Sequence, residues 1–202
     1  MKQAAEIHNF FPTPIQLSGI ENPTNLNKSI MMGVESILKT EPNSMPQGWS
    51  CSVYTTMKSS MNLLERPEFQ PLRAVIMAEA TQFARSLYLN IDKHPLRLSE
   101  CWLNVYSAGQ SQEVHVHPNC VLSGIYYAQA PEGCGELLLH SPYSDVMLDP
   151  PTTRSAPLNA SIIPVNPQDG MMVLFRSFVR HSVKPNLLKS EERVSIAFNL
   201  TM

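Results

Sequence analysis

The 202-residue sequence predicts a mainly β protein with flanking helices, a jelly roll covered on one face by N-terminal helices. Three observations lead there. From Leu98 onward, short apolar-rich segments alternate with turn residues about every ten residues, which is the pattern of antiparallel strands. Before Leu98, two stretches carry apolar residues at helical spacing instead. The 17 prolines are spread along the chain, as suits a loop-rich sheet protein more than a helical bundle. The expected organisation is one domain over 1–202, with a helical and irregular part at 1–97 and the β core at 98–202.

In order, Phe10-Phe11-Pro12-Thr13-Pro14-Ile15 reads as a short lead-in strand that its prolines confine to an edge. Leu26, Ile30, Met31, Val34, Ile37 and Leu38 form one stripe of an amphipathic helix, with Thr24 or Asn25 available as its cap. Residues 49–54 have an extended texture after a Pro- and Gly-containing loop. A second helix begins near Pro71, a residue suited to a first turn, and runs through Leu72, Val75, Ile76, Ala80, Phe83 and Leu87 toward Tyr88. Eight strands follow, at 98–106, 113–117, 122–128, 136–140, 161–165, 171–175, 181–183 and 193–200. Eight short antiparallel strands make two sheets whose mouth is a natural small-molecule site. The stretch 141–160 is the longest loop, and loops of that length tend to be functional.

Composition removes several classes. A net charge of −2 gives no electrostatic footprint for nucleic acid. No apolar run approaches the ~20 residues of a membrane span, and Met1 to Glu6 lacks the apolar core of a signal peptide. Cys51, Cys101, Cys120 and Cys134 are widely spaced with no C-x-x-C pair, as expected for reduced thiols in a cytoplasmic protein.

The chemistry gathers around His115-Val116-His117. Two histidines two apart on a strand point to one face, because strand side chains alternate. A third, His181, follows the apolar run 171–175, and the three can hold a metal while leaving coordination positions open. In the last strand, Arg193, Ser195, Ala197 and Asn199 share one face, and Val194, Ile196, Phe198 and Leu200 the other. The apolar face is core, so the polar one looks into a wet cavity, where Arg193 can bind a carboxylate bidentately. Trp102, Asn104 and Tyr106 share a face of the opening strand in the same way. His8, His94 and His140 are read as ordinary sheet or surface residues.

Asn104-x-Tyr106-x-x-Gly109, then His115-x-His117, His181 and Arg193-x-Ser195, resembles the double-stranded β-helix of the Fe(II)/2-oxoglutarate dioxygenases. The first part is similar in spacing to AlkB-type demethylases, and the Tyr-to-His part to prolyl hydroxylases. Over nearly its whole length the chain resembles a family of 2-oxoglutarate/Fe(II) oxygenases of bacteria and tailed phages. The motifs that carry this are Phe10 to Pro14, His115 to Pro118, Leu122 to Tyr127, and Arg193 to Asn199. The resemblance implies Fe(II) on His115, His117 and His181. It implies 2-oxoglutarate on Asn104, Tyr106, Arg193 and Ser195, with Arg193 and Tyr106 at its distal carboxylate. Tyr126 is a further candidate, on the expectation that it faces the cavity together with Gly124. The implied activity hydroxylates a C–H bond of a protein side chain or small metabolite, with release of succinate and CO₂, in the cytoplasm of a bacterium or of a phage-infected host. Beyond the cosubstrate the partner is open: no nucleic acid and no membrane are expected, and a homodimer is compatible with the sequence.

His117 stands where the wider superfamily has a carboxylate, the third member of the two-histidine facial triad. Glu113, on the same strand face, is expected to partner a ligating imidazole; Asp145 and Asp149 in the long loop are more remote carboxylates. Two other functions fit the same residues. One is a three-histidine, cupin-like dioxygenase without 2-oxoglutarate, its Arg193-x-Ser195 holding the substrate's own carboxylate. The other is a non-catalytic jelly-roll binding protein.

Overall fold

The computed structural model describes residues 5–143 and 150–202. Among these residues ten strands form two antiparallel sheets. They are β1 (Ile15–Gly19), β2 (Tyr54–Thr55), β3 (Arg97–Tyr106), β4 (Gln112–His115), β5 (Leu122–Gln129), β6 (Leu137–His140), β7 (Ile162–Val165), β8 (Met171–Arg176), β9 (His181–Val183) and β10 (Arg193–Thr201). The larger sheet has the order β1-β8-β5-β10-β3-β2, and the smaller β4-β9-β6-β7. This is the double-sheet jelly roll expected from the strand spacing, and all eight expected strands are present.

Helices α1 (Thr24–Thr40) and α2 (Gln70–Ser86) lie on one face of the larger sheet. Their stripes of Ile30, Val34, Ile37, Leu72, Ile76 and Phe83 bury against Leu103, Leu122, Tyr126, Leu174, Ile196 and Phe198. Each fully buried aliphatic side chain contributes roughly 1.5–3 kcal/mol relative to exposure, so the helices are held by packing more than by propensity. A polar tie adds to this: Glu79 on α2 accepts from Ser18 Oγ (2.6 Å) and Gln16 Nε2 (2.7 Å) on β1. A second cluster, including Ile125, Tyr127, Leu137, Leu139, Val173 and Phe175, fills the space between the two sheets. The strand alternation of β5, β8 and β10 thus separates a helix-facing core from a face turned toward the smaller sheet.

Three sequence expectations shift. The lead-in strand starts at Ile15 rather than Phe10, because the two prolines delay pairing with β8 until they are passed. No side chain caps α1; Pro23 occupies the cap position and its carbonyl accepts from Asn27 N (2.8 Å). Of residues 49–54, only Tyr54 pairs, together with Thr55, against Val105 and Asn104. Through β1 and β2 the first 97 residues supply both edges of the larger sheet. No helix among the described residues is long and apolar enough to cross a membrane.

Candidate active site

The smaller sheet brings two of the histidines together. His115 and His181 are direct cross-strand partners in the β4–β9 ladder, and their ring centroids are 4.2 Å apart. The register slips between Gln112 and His115, a bulge that re-aims the end of β4. His117 therefore lies just beyond the strand rather than inside it, and its backbone N–H donates to Ser177 O (3.1 Å). Its ring still converges on the other two, with centroids 5.2 Å from His115 and 5.1 Å from His181. One ring nitrogen from each of the three lies within 4.8 Å of the others. Among the described residues no other group of three His, Cys, Asp or Glu side chains is so placed.

Two of the imidazoles are locked in the same way. His115 Nδ1 donates to the carbonyl of Glu113 (2.8 Å) and His181 Nδ1 to the carbonyl of Val179 (2.9 Å). A carbonyl only accepts, so Nδ1 carries the proton in both rings and Nε2 presents its lone pair. A metal-bound histidine needs that arrangement. Burial lowers the basicity of all three rings, with His117 brought down to about 4 and His181 well below its usual value. The neighbouring imidazoles push His117 and His181 further the same way. The three rings are held uncharged at neutral pH.

The floor is built by β3 and β10. Their register sets Arg193 opposite Tyr106, Ser195 opposite Asn104, Ala197 opposite Trp102 and Asn199 opposite Glu100. Arg193 is 1% exposed. Its Nη1 donates to the carbonyls of Cys134 (3.1 Å) and Gly135 (2.8 Å), and its Cζ lies 3.9 Å from the centre of the Tyr106 ring. Gly135 has φ +90°, and a Cβ there would stand 2.4 Å from Lys184 O, so only glycine brings this carbonyl to the guanidinium. Arg193 Nε and Nη2 are buried and have no partner. These two N–H groups lie on one edge of the guanidinium, the fork that grips a carboxylate side-on. Burial pushes the Tyr106 hydroxyl up to about 12 against the opposing influence of Arg193, so the phenol stays protonated and able to donate.

Asn104, Tyr106, Arg193, Ser195 and the three histidines all line one cavity of about 130 Å³. With its amide turned to suit its neighbours, Asn104 donates to Thr55 Oγ1 (2.8 Å) and accepts from Trp102 Nε1 (3.2 Å). Two expectations need correction. Tyr126 does not face the cavity: it is fully buried on the helix side, where its hydroxyl donates to Asn27 Oδ1 (2.5 Å) on α1. A Cβ at Gly124 would point the same way and strike Phe198, so Gly124 borders the cavity through its backbone alone, and Tyr127 is the tyrosine on the cavity side. Glu113 supports His115 through its backbone carbonyl, not its carboxylate, which accepts from Ser50 N (3.1 Å) and Gln112 Nε2 (3.1 Å). Asp145 and Asp149 lie outside the described residues. His140 is occupied by Ser182 Oγ (2.9 Å).

Sequence reasoning missed Trp49 and Met57, which reach the cavity from the segments on either side of β2, and the place of Asn199. No local periodicity marks the two loop residues. Alternation gives Asn199 its face of β10, but only the fold sets it beside His117, with its Nδ2 3.4 Å from His117 Nδ1.

A family model described as "Putative 2OG-Fe(II) oxygenase" matches residues 100–199, the span holding all of these floor and histidine positions. No curated protein matches the sequence. Solved structures do. A Pseudomonas putida prolyl-4-hydroxylase is 14% identical, with a TM-score of 0.64 over 94% of this chain and 92% of that one. The epimerase SnoN of nogalamycin biosynthesis, in complex with Fe3+ and alpha ketoglutarate, is 16% identical, with a TM-score of 0.65 over 94% and 79%. HygX from Streptomyces hygroscopicus, with nickel and 2-oxoglutarate bound, is 14% identical, with a TM-score of 0.58 over 94% and 83%. At these identities the structures speak for the fold.

Proposed function

Because the chain belongs to the 2OG-Fe(II) oxygenase family, we propose that it binds Fe(II) on His115, His117 and His181 and hydroxylates a C–H bond of a small metabolite or protein side chain. The observation that carries this reading is that Arg193 Nε and Nη2 are buried without a protein partner. A buried guanidinium with two unsatisfied N–H groups costs several kcal/mol unless an anion completes it. The carboxylate that fits is the distal one of 2-oxoglutarate, with the Tyr106 hydroxyl and Ser195 Oγ as neighbouring donors in the same cavity. Asn104 shapes the wall between that end and the imidazoles. The donor set at the other end suits a divalent transition metal: neutral imidazoles with Nδ1 tied back at His115 and His181.

Iron with 2-oxoglutarate supplies the oxidising power, drawing on O₂ and releasing succinate and CO₂. The protein's own share is binding, orientation and exclusion of water. Arg193 fixes one end of the cosubstrate, and the carbonyls of Cys134 and Gly135 fix Arg193. Phe175, 4.7 Å from the His181 ring, walls the metal end on the core side. Beside Arg193, no other Lys, Arg, Asp or Glu lines the cavity among the described residues, while Trp49, Met57 and Val116 do. The part of the substrate presented for reaction is accordingly uncharged and apolar.

Anaerobic addition of Fe(II) and 2-oxoglutarate together is expected to give a weak visible charge-transfer band, and aeration to release succinate. Binding of metal without any spectral or thermal response to 2-oxoglutarate would sink this reading.

A further inference from the structure

The third imidazole is not held like the other two. In place of a backbone carbonyl, His117 Nδ1 meets the side-chain amide of Asn199, at 3.4 Å from Nδ2. We propose that Glu100 and Asn199 are positioning residues that set the tautomer of His117, keeping it the conditional member of the three-histidine site.

The argument runs outward from the carboxylate. Glu100 Oε2 accepts a close hydrogen bond from Asn199 Nδ2. An ionised carboxylate can only accept, so the nitrogen of the amide must face Glu100 and the oxygen must face away. The oxygen is indeed satisfied on its other side, by Ser123 Oγ (2.7 Å), itself linked to Ser177 Oγ (2.8 Å). Asn199, Ser123 and Ser177 are all buried, so the bonds among these three are made away from water, where orientation matters most. The amide nitrogen has two hydrogens. One goes to Glu100; the second is left for His117 Nδ1, 3.4 Å away, which accepts it in this arrangement. In a neutral imidazole the proton is left on Nε2.

His117 is thus the opposite tautomer to His115 and His181. If Nε2 faces the metal, its proton occupies the lone pair that a ligand needs. Should Nδ1 face the metal, the Asn199 amide competes for that lone pair. Either way the bond between Glu100 and Asn199 opposes ligation by His117. Turning the amide over would relieve this, since Oδ1 could then accept from an Nδ1 proton and Ser123 Oγ could accept from Nδ2. The turn sacrifices the Glu100 bond. The carboxylate missing from the site's first ring of ligands thus acts at one remove, through an amide.

Two-bond ¹H–¹⁵N correlation spectra of the metal-free protein at neutral pH read each tautomer directly. His117 is expected as Nε2–H while His115 and His181 are Nδ1–H. Glu100 is exposed, so Glu100→Ala leaves the fold in place. It is expected to move His117 toward Nδ1–H, leave the other two rings unchanged, and tighten Co(II) binding by about tenfold, the scale on which groups behind a metal ligand act. Glu100→Gln, whose Oε1 can still accept, restores the native tautomer. An Nδ1–H signal from His117 in the native protein overturns the proposal, as does an unchanged His117 tautomer or an unchanged or weaker Co(II) affinity in Glu100→Ala. The inference rests on His117 serving the metal, yet the tautomer is read without iron or 2-oxoglutarate. Loss of the charge-transfer response would strike the oxygenase reading and leave the tautomer result standing.

Discussion

Arg193 faces Tyr106 directly across the β10–β3 ladder, and its guanidinium carbon sits 3.9 Å from the centre of the phenol ring. The ring packs against the guanidinium from one side while two carbonyls take Nη1. What is left is a fork whose direction is fixed before any ligand arrives, so little side-chain entropy is lost on binding.

Arg193→Lys should therefore fail where the charge alone would succeed. Lysine keeps the positive charge but has neither the planar stack nor two parallel donors. Hydrogen bonds to a charged group are worth roughly 1.5–3 kcal/mol each, so the 2-oxoglutarate requirement is expected to rise at least ~10-fold. Fe(II) affinity, measured in parallel by titration, should stay within about twofold on the same scale. An equal loss of both would mean that the fold, not the fork, had been damaged.

Tyr106→Phe separates the ring from the hydroxyl. The stack on Arg193 survives, and only one neutral donor is lost, with a net value of about 0.5–1.5 kcal/mol. A severalfold higher 2-oxoglutarate requirement with an unchanged melting temperature is the expected pair of results. Tyr126→Phe provides the contrast. Its hydroxyl bonds Asn27 on the far side of the sheet, so cosubstrate binding should not change while stability falls by about 1 kcal/mol, read by urea titration.

Removing the imidazoles one at a time should rank them. His115→Ala and His181→Ala each delete a ring whose Nδ1 is anchored on a carbonyl, and Co(II) binding is expected to fall by two orders of magnitude or more, about the upper range seen for perturbed metal sites. His117→Ala should cost less, because that ring starts in a competing hydrogen bond. Isothermal titration of all three variants decides the order.

The pH dependence of stability follows from the three buried rings. Their basicity is lowered on folding, with His117 at about 4 against roughly 6.5 in the unfolded chain. Between those values the unfolded chain binds protons that the native protein refuses, so stability rises with pH through that window. The metal-free melting temperature is expected to be flat above pH 6.5 and to fall progressively toward pH 4. Saturating Zn(II) should shift the onset of the fall to lower pH, since a bound metal competes with the proton.

Much of this was legible in the chain because alternation in a strand is unforgiving. The polar face of β10, Arg193, Ser195 and Ala197, and the matching face of β3 could be assigned from period two alone, and both line the cavity. At β5 the same rule pairs residues on a face without saying where the face points. Tyr126 and Gly124 do share a face, but nothing local says which; Phe198 and Leu174, packed where a Gly124 side chain would be, decide it. Single-residue departures from alternation were invisible as well. The bulge before His115 carries His117 off the strand and replaces the Glu113 carboxylate by its carbonyl as the support of His115. Partners far apart in sequence, such as Asn199 with His117 and Trp49 with the cavity, depend on how loops and sheets meet, and periodicity carries no record of that.

The margins of the two sheets have a consequence for how the protein behaves in a crowded solution. β2 is two residues long, β7 carries Pro164, β4 is four residues long and interrupted by the bulge, and β1 is five residues long with Pro14 immediately before it. A bare strand margin is a template for another chain, and short strands, prolines and bulges are the devices that spoil the template. Copies of this protein should therefore resist zipping together through their backbones. An association between subunits, where one forms, would have to be made by side chains on the outside of the helices or loops.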